Sequence, residues 1–271
     1  MLRMLKVEWM KVKNYRTFWI LLGITIISIP GLNYMLYNIM NNSFPKSKGQ
    51  GQMQNPLGSP FAFPDVWQTV SWNSTMLFII PAILIITLTT NEYVYKTHRQ
   101  NIIDGWSRKQ FISVKLVEVL LLSVFTTLIV ILTVFGFGLI ANKLTPGVSV
   151  WQESRFAAFY FVQMLDYSLI AFLLSMFIKR AGLALGLFLI YMLVENIVAG
   201  VLENIYKLRA AEYLPEEVSD KLIPQPYFKM LVTPEHAAAW QSHIPSYLLV
   251  AFLYMLIYCG VTGRWFLKTD L

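Results

Sequence analysis

His236 and His243, with Glu235 beside the first, are the residues of this sequence that most readily suggest a metal site. Their spacing within a proline-bounded stretch fits no ligand template, and no metal is expected there. Glu216 and Glu217 form a paired acid of the kind some intramembrane proteases use. They lie in a charged segment, and no paired histidines stand in the apolar stretches, so a solvated loop face is the expectation. No G-x-x-x-x-G-K-[ST] loop and no H-E-x-x-H pair occurs anywhere. By itself the chain is expected to hydrolyse no nucleotide, to bind no cofactor and to be no enzyme.

Three further acids, Glu118, Asp166 and Glu195, interrupt long apolar runs. A charge at the centre of a membrane helix costs ~2.5 to 3.5 kcal/mol on insertion scales, so each acid must face protein or water and find a partner. Glu195, followed by Asn196, is expected to face the interior of a helix bundle. Such an acid either fixes helix packing through hydrogen bonds, protonated or not, or belongs to a proton pathway, which would more often show several aligned acids and basic partners. In a six-span intramembrane enzyme, Asp166 and Glu195 would be the candidate catalytic residues. Gly182 and Gly186 form a small-x-x-x-small pair that lets two helix backbones approach closely, within one chain or between two copies.

The elements that position these residues are membrane helices. Of 271 residues, 56% are hydrophobic and 14% charged, with a mean hydropathy of +0.53, where a soluble domain carries roughly 25% charge. The formal charge of +7 is spread between apolar runs rather than gathered on one domain, which argues against nucleic acid as a partner. The single cysteine, Cys259, permits no intramolecular disulfide. Runs at 17–40, 71–95, 111–142, 153–178, 181–202 and 244–266 are each near or above the ~20 residues that cross a bilayer. The predicted fold is therefore all-α, with six transmembrane helices in a single domain over 1–271. The first run is too long for a signal peptide and is followed by no small-x-small cleavage site. Ahead of it, Leu2, Leu5, Trp9 and Val12 alternate at helical spacing with Arg3, Lys6, Lys11 and Lys13, which predicts an amphipathic interfacial helix over 1–16.

Placing the N-terminus inside puts the whole positive excess on the cytoplasmic side. Segments 41–70 and 203–243 then face outward, the first as a loop and the second with short helices over the outer mouth. Both termini are cytoplasmic in this arrangement.

The most informative stretch is the first cytoplasmic loop. Lys96, Thr97, Arg99, Ile102, Ile103, Trp106, Ser107, Arg108 and Lys109 alternate at helical spacing, predicting a short amphipathic helix within 96–109 closed at Gly105. Ile102, Ile103 and Trp106 give it an apolar face that needs protein or lipid to cover it. Here the sequence resembles the ABC type-2 export permeases, membrane subunits that work with a separate ATP-binding cassette subunit. Glu92, Thr97, Ser107, Arg108 and Lys115 match that family's pattern, while Lys96 stands where the family usually has glycine. The ordered set extends along the whole chain: a basic elbow, six spans, and a long outer segment before the last helix.

The resemblance implies an ATP-driven exporter in a bacterial cytoplasmic membrane, with the substrate path at the interface of a permease dimer, homodimeric here. It gives 96–109 the role of coupling helix, makes Gly182 and Gly186 a plausible dimer seam, and leaves ATP and Mg on the partner subunit. A six-span intramembrane enzyme acting without a partner and a non-transporting membrane scaffold are the alternatives.

Overall fold

The computed structural model describes residues 2–43, 60–141, 149–227 and 234–268. They form α1 (Leu2–Lys13), α2 (Arg16–Ser43), α3 (Val66–Thr75), α4 (Ile79–Val94), α5 (Thr97–Ile103), α6 (Arg108–Ala141), α7 (Arg155–Ile178), α8 (Ala181–Asn204), a 3₁₀ turn (Arg209–Tyr213), α9 (Glu217–Asp220) and α10 (Pro234–Lys268). The described residues are all-helical, 83% of them in helix, with no strand. Among the described residues five helices, α2, α6, α7, α8 and α10, are long and apolar enough to span a membrane, and the bent pair α3 and α4 makes a sixth if the two halves cross as one span.

That sixth span departs from expectation. The sequence predicts one continuous helix over 71–95 preceded by a loop. Instead, helix begins at Val66, so the end of the expected loop is already helical, and the two halves meet at 49°. Pro81 lacks the N–H that would bond back to the carbonyl of Leu77, and the Ser74 and Thr75 hydroxyls bond to the carbonyls of Val70 and Trp72 instead of extending the ladder. The break is lined by polar groups. Asn73 donates to Asn33 of α2 at 3.0 Å, and Tyr227 donates to Asn73 at 2.6 Å. Residues 44–59 of the 41–70 loop, 142–148 and 228–233 lie outside the described residues.

Helix α7 is the centre of the bundle. It is apolar on all sides and packs against α3, α4, α6, α8 and α10, as expected of a helix with no polar face. In contrast, α8 turns Leu183, Leu187, Ile190, Leu193 and Ile197 outward, a lipid-ready surface. At one end of the bundle, α1 folds back beneath α2, the Trp9 and Trp19 rings meeting edge to face at 6.3 Å. At the other end, the segment holding the 3₁₀ turn and α9 caps the helices. Trp240 donates to the carbonyl of Lys221, and Gln68 donates to that of Pro224, both at 2.7 Å.

Candidate functional site

The α1 end of the molecule carries a buried ionic centre that joins four elements. Lys115 of α6 is only 3% exposed. Its ammonium lies 2.7 Å from Glu8 of α1, 2.9 Å from Glu92 of α4 and 3.1 Å from Glu118 of its own helix. Lys11 adds contacts of 2.7 Å to Glu8 and 3.3 Å to Glu92. Helix α5 joins through Thr97, whose hydroxyl donates to Glu92, and through Asn101, which accepts from Lys11 at 3.3 Å. Burial alone would push the Glu8 carboxyl up, but the charges and hydrogen bonds of Lys115 and Lys11 prevail and hold it down at about 2.

The backbone around α5 explains the residue types at its ends. Lys96 sits in the left-handed region at φ 55°, where a side chain costs about 1 to 2 kcal/mol and glycine costs nothing. Glycine is the residue that the resemblance leads one to expect at this position. Gly105 takes φ 96° and closes the helix, with the Trp106 amide bonding back to the Asn101 carbonyl at 3.0 Å. Ser107 and Gln110 then form a reciprocal cap at the start of α6: the Ser107 amide donates to the Gln110 side chain at 2.9 Å, and the Gln110 amide donates to the Ser107 hydroxyl at 3.2 Å. Arg108 reaches the carbonyl of Leu267 at 2.8 Å, tying α6 to the end of α10.

The three apolar residues expected on one face of this loop do not share one. Ile102 and Trp106 turn inward and pack on the core. Ile103 points outward, 77% exposed, beside the exposed Arg99 and Gln100. The helix is also shorter than 96–109, running only from Thr97 to Ile103.

Gly182 and Gly186 lie on the open side of α8. A Cβ added at either would meet no atom within 4 Å outside its own helix backbone, so the pair packs against no other described part of this chain.

At the capped end, the acids come together. Glu195 is buried, and its carboxylate accepts the amides of Glu216 and Glu217, holding the start of α9. Asn196 donates to the carbonyl of Met192 in its own helix at 2.9 Å. Asp220 accepts from Gln163 at 2.6 Å and from the Tyr167 hydroxyl, both of α7. Asp166 is fully buried, and neither of its carboxylate oxygens has a hydrogen-bond partner among the described residues. The solvated face expected at Glu216 and Glu217 is therefore corrected for Glu216, which is 2% exposed because α9 folds down onto α7 and α8. Burial, then the neighbouring charges of Glu195, Asp220, Asp166 and Glu217, push the Glu216 carboxyl up to about 9. Burial likewise raises Asp220 to about 6, against the lowering effect of its bonds from Tyr167 and Gln163. Lys221 is the nearby cation, and it is engaged with Glu217 at 3.1 Å and Glu203 at 3.7 Å.

Among the described residues no group of His, Cys, Asp and Glu is arranged to hold a metal ion. The side chains of Glu235 and His236 lie outside those residues.

A family model described as "ABC-2 family transporter protein" matches residues 4–195. The chain belongs to that family of membrane proteins. No curated protein matches the sequence. The matched stretch runs from the elbow helix to Glu195, so it takes in the whole ionic centre of this permease-like chain but stops short of α9 and α10.

Glu8, Lys11 and Asn101 are the members of the ionic centre that sequence reasoning missed. Glu8 was nonetheless visible as the lone acid of a basic helix, three residues before Lys11 on the same face.

Proposed function

We propose that the chain is the permease subunit of an ATP-driven ABC exporter, working as a homodimer and driven by a separate ATP-binding cassette subunit that carries the ATP and Mg. The reading is supported most by the way α5 is held: its outward side offers Ile103, Arg99 and Gln100, while its inward side is bonded to Glu92, Lys11 and the elbow. A partner that moves α5 moves α1, α4 and α6 with it, because the contacts joining them are buried and charge-assisted. The residues shared with the related permeases then have physical roles. Thr97 and Lys115 secure the ionic centre, Ser107 caps α6, and Arg108 fastens it to α10.

In this reading the α1 and α5 end and both termini face the cytoplasm and the α9 cap faces outside, which the positive residues crowding the α1 and α5 end support. A bacterial cytoplasmic membrane is the matching location. In this arrangement 1–271 is one permease domain, with 1–16 as the elbow, 96–109 as the coupling region and 203–243 as the outer segment. Two copies would meet along α8 at Gly182 and Gly186, the lipid-ready face.

The test is affinity purification of the tagged chain, in mild detergent, from cells co-expressing its candidate cassette subunit. An ATPase should accompany the parent, and Ile103→Asp should lower its recovery at least several-fold with α5 still folded. An ATPase recovered equally with both would remove α5 from the coupling role, and none with the parent would refute the permease reading.

A further inference from the structure

A pocket of about 520 Å³ lies beside the ionic centre and shares none of its carboxylates. It is formed where the end of α4 and the start of α5 meet the α7 to α8 turn and the last turns of α10. Four cations line it, Lys96, Arg99, Lys179 and Arg180, and no acidic residue among the described residues does. None of the four forms an ion pair among the described residues. Lys179 is held in place by two rings, its ammonium 5.2 Å from the centre of Tyr93 and 5.0 Å from that of Trp265. The C-cap at Lys179 is left-handed, which ends α7 and delivers Lys179 and Arg180 together into the turn.

Four unneutralised cations gathered from two separate loops repel one another, and an anion relieves that repulsion. The remaining walls say where the anion comes from. Val94, Ile178 and Phe266 are apolar ends of membrane helices, and Val94 is 63% exposed, so the pocket opens at the border between hydrocarbon and water. Aromatic rings and basic side chains at that depth are the surroundings of a lipid headgroup, and basic pockets between helices bind such groups.

We propose that this pocket binds the phosphate of an anionic phospholipid, with the acyl chains running along the outer surface of the adjoining helices. A soluble phosphate shares the head chemistry but has no use for the apolar walls. The assignment does not rest on the coupling reading, since it needs neither an ATPase nor transport.

The experiment uses the full-length purified chain in detergent. Dioctanoyl-phosphatidylglycerol is titrated against dioctanoyl-phosphatidylcholine, glycerol phosphate and inorganic phosphate, with binding read by native mass spectrometry. The phosphatidylglycerol should bind at least about tenfold more tightly than the other three. Lys179→Gln with Arg180→Gln, and separately Lys96→Gln with Arg99→Gln, should each weaken it by about thirtyfold, from the attraction expected of two basic residues near an anionic surface. Arg3→Gln with Lys6→Gln, equal in charge removed but on α1, should leave it unchanged. On the unaltered protein, the lipid should protect Lys179 from an amine-acetylating reagent at concentrations that leave Lys6 labelled, a readout independent of how the variants fold. Equal binding of phosphatidylcholine, equal binding of either soluble phosphate, or labelling of Lys179 unaffected by the lipid would each overturn the proposal. So would protection of Lys179 by a cassette subunit but not by lipid, which would give the pocket to a protein partner.

Discussion

Lys115 is the residue on which the inner end depends. Its ammonium stands among three carboxylates, Glu8, Glu92 and Glu118, and removing one member of a buried ion cluster leaves the others uncompensated, at a cost of about 3 to 5 kcal/mol. Lys115→Met, which keeps the length and the apolar stem, should therefore lower the thermal midpoint of the detergent-solubilised protein by many degrees. A shift no larger than that of Lys109→Met, an exposed control, would show that the centre contributes little. At the outer end Glu216 makes the opposite demand. Its carboxyl is raised to about 9 from an ordinary 4.5, so the folded chain holds a proton there that the unfolded chain releases. Stability from this group is present below about pH 4.5, declines as pH rises, and is lost by about pH 9. Glu216→Gln mimics the protonated acid and should flatten that decline, so that between pH 6 and 9 the parent loses about 1 to 3 kcal/mol more than the variant. Parallel pH profiles for the two proteins would contradict the assignment.

At the scale of elements, the long spans were legible because runs of ~20 apolar residues have no other stable home. The elbow was legible from its period, and the α5 turn from Gly105. What escaped was set by contacts distant in sequence. Glu216 reads as a solvated acid until α9 folds onto α7, 50 residues away along the chain. Ile102 and Trp106 read as partners of Ile103 until the core draws two of the three inward. The break between α3 and α4 had a local cause in Pro81, yet its stability comes from Asn33 on another helix. The small-residue pair on α8 was open between intramolecular and intermolecular packing; no described residue packs on it, and in the proposed dimer a second copy would. Gly182→Leu together with Gly186→Leu should thus reduce disulfide or chemical crosslinking between copies at least several-fold, without altering the monomer's stability by more than about 1 kcal/mol. An unchanged crosslinking yield would remove α8 from the dimer contact, and a large loss of monomer stability would place the pair inside the fold.

Taken as a whole, the molecule has two differently built ends joined by a central helix. One end gathers α1, α4, α5 and α6 around paired charges, and the other clamps a short cap through Glu195 and Asp220, neither of which forms an ion pair among the described residues. Helix α7 spans between them, its turn to α8 reaching the basic pocket and its Gln163 and Tyr167 reaching the cap. Under the proposed coupling, a push on α5 would reach the cap through α4 and α7, which pack on one another, and α9, which packs on α7. The claim rests on what touches α5, and a photoreactive amino acid placed at Ile103 reports it directly in intact membranes. The same probe at Leu139, 71% exposed near the far end of α6, serves as the comparison. The account predicts a crosslink from position 103 to an ATP-binding cassette subunit, and none to that subunit from position 139. Crosslinks from position 103 to lipid alone, with no ATPase captured from cells in which transport is active, would contradict it.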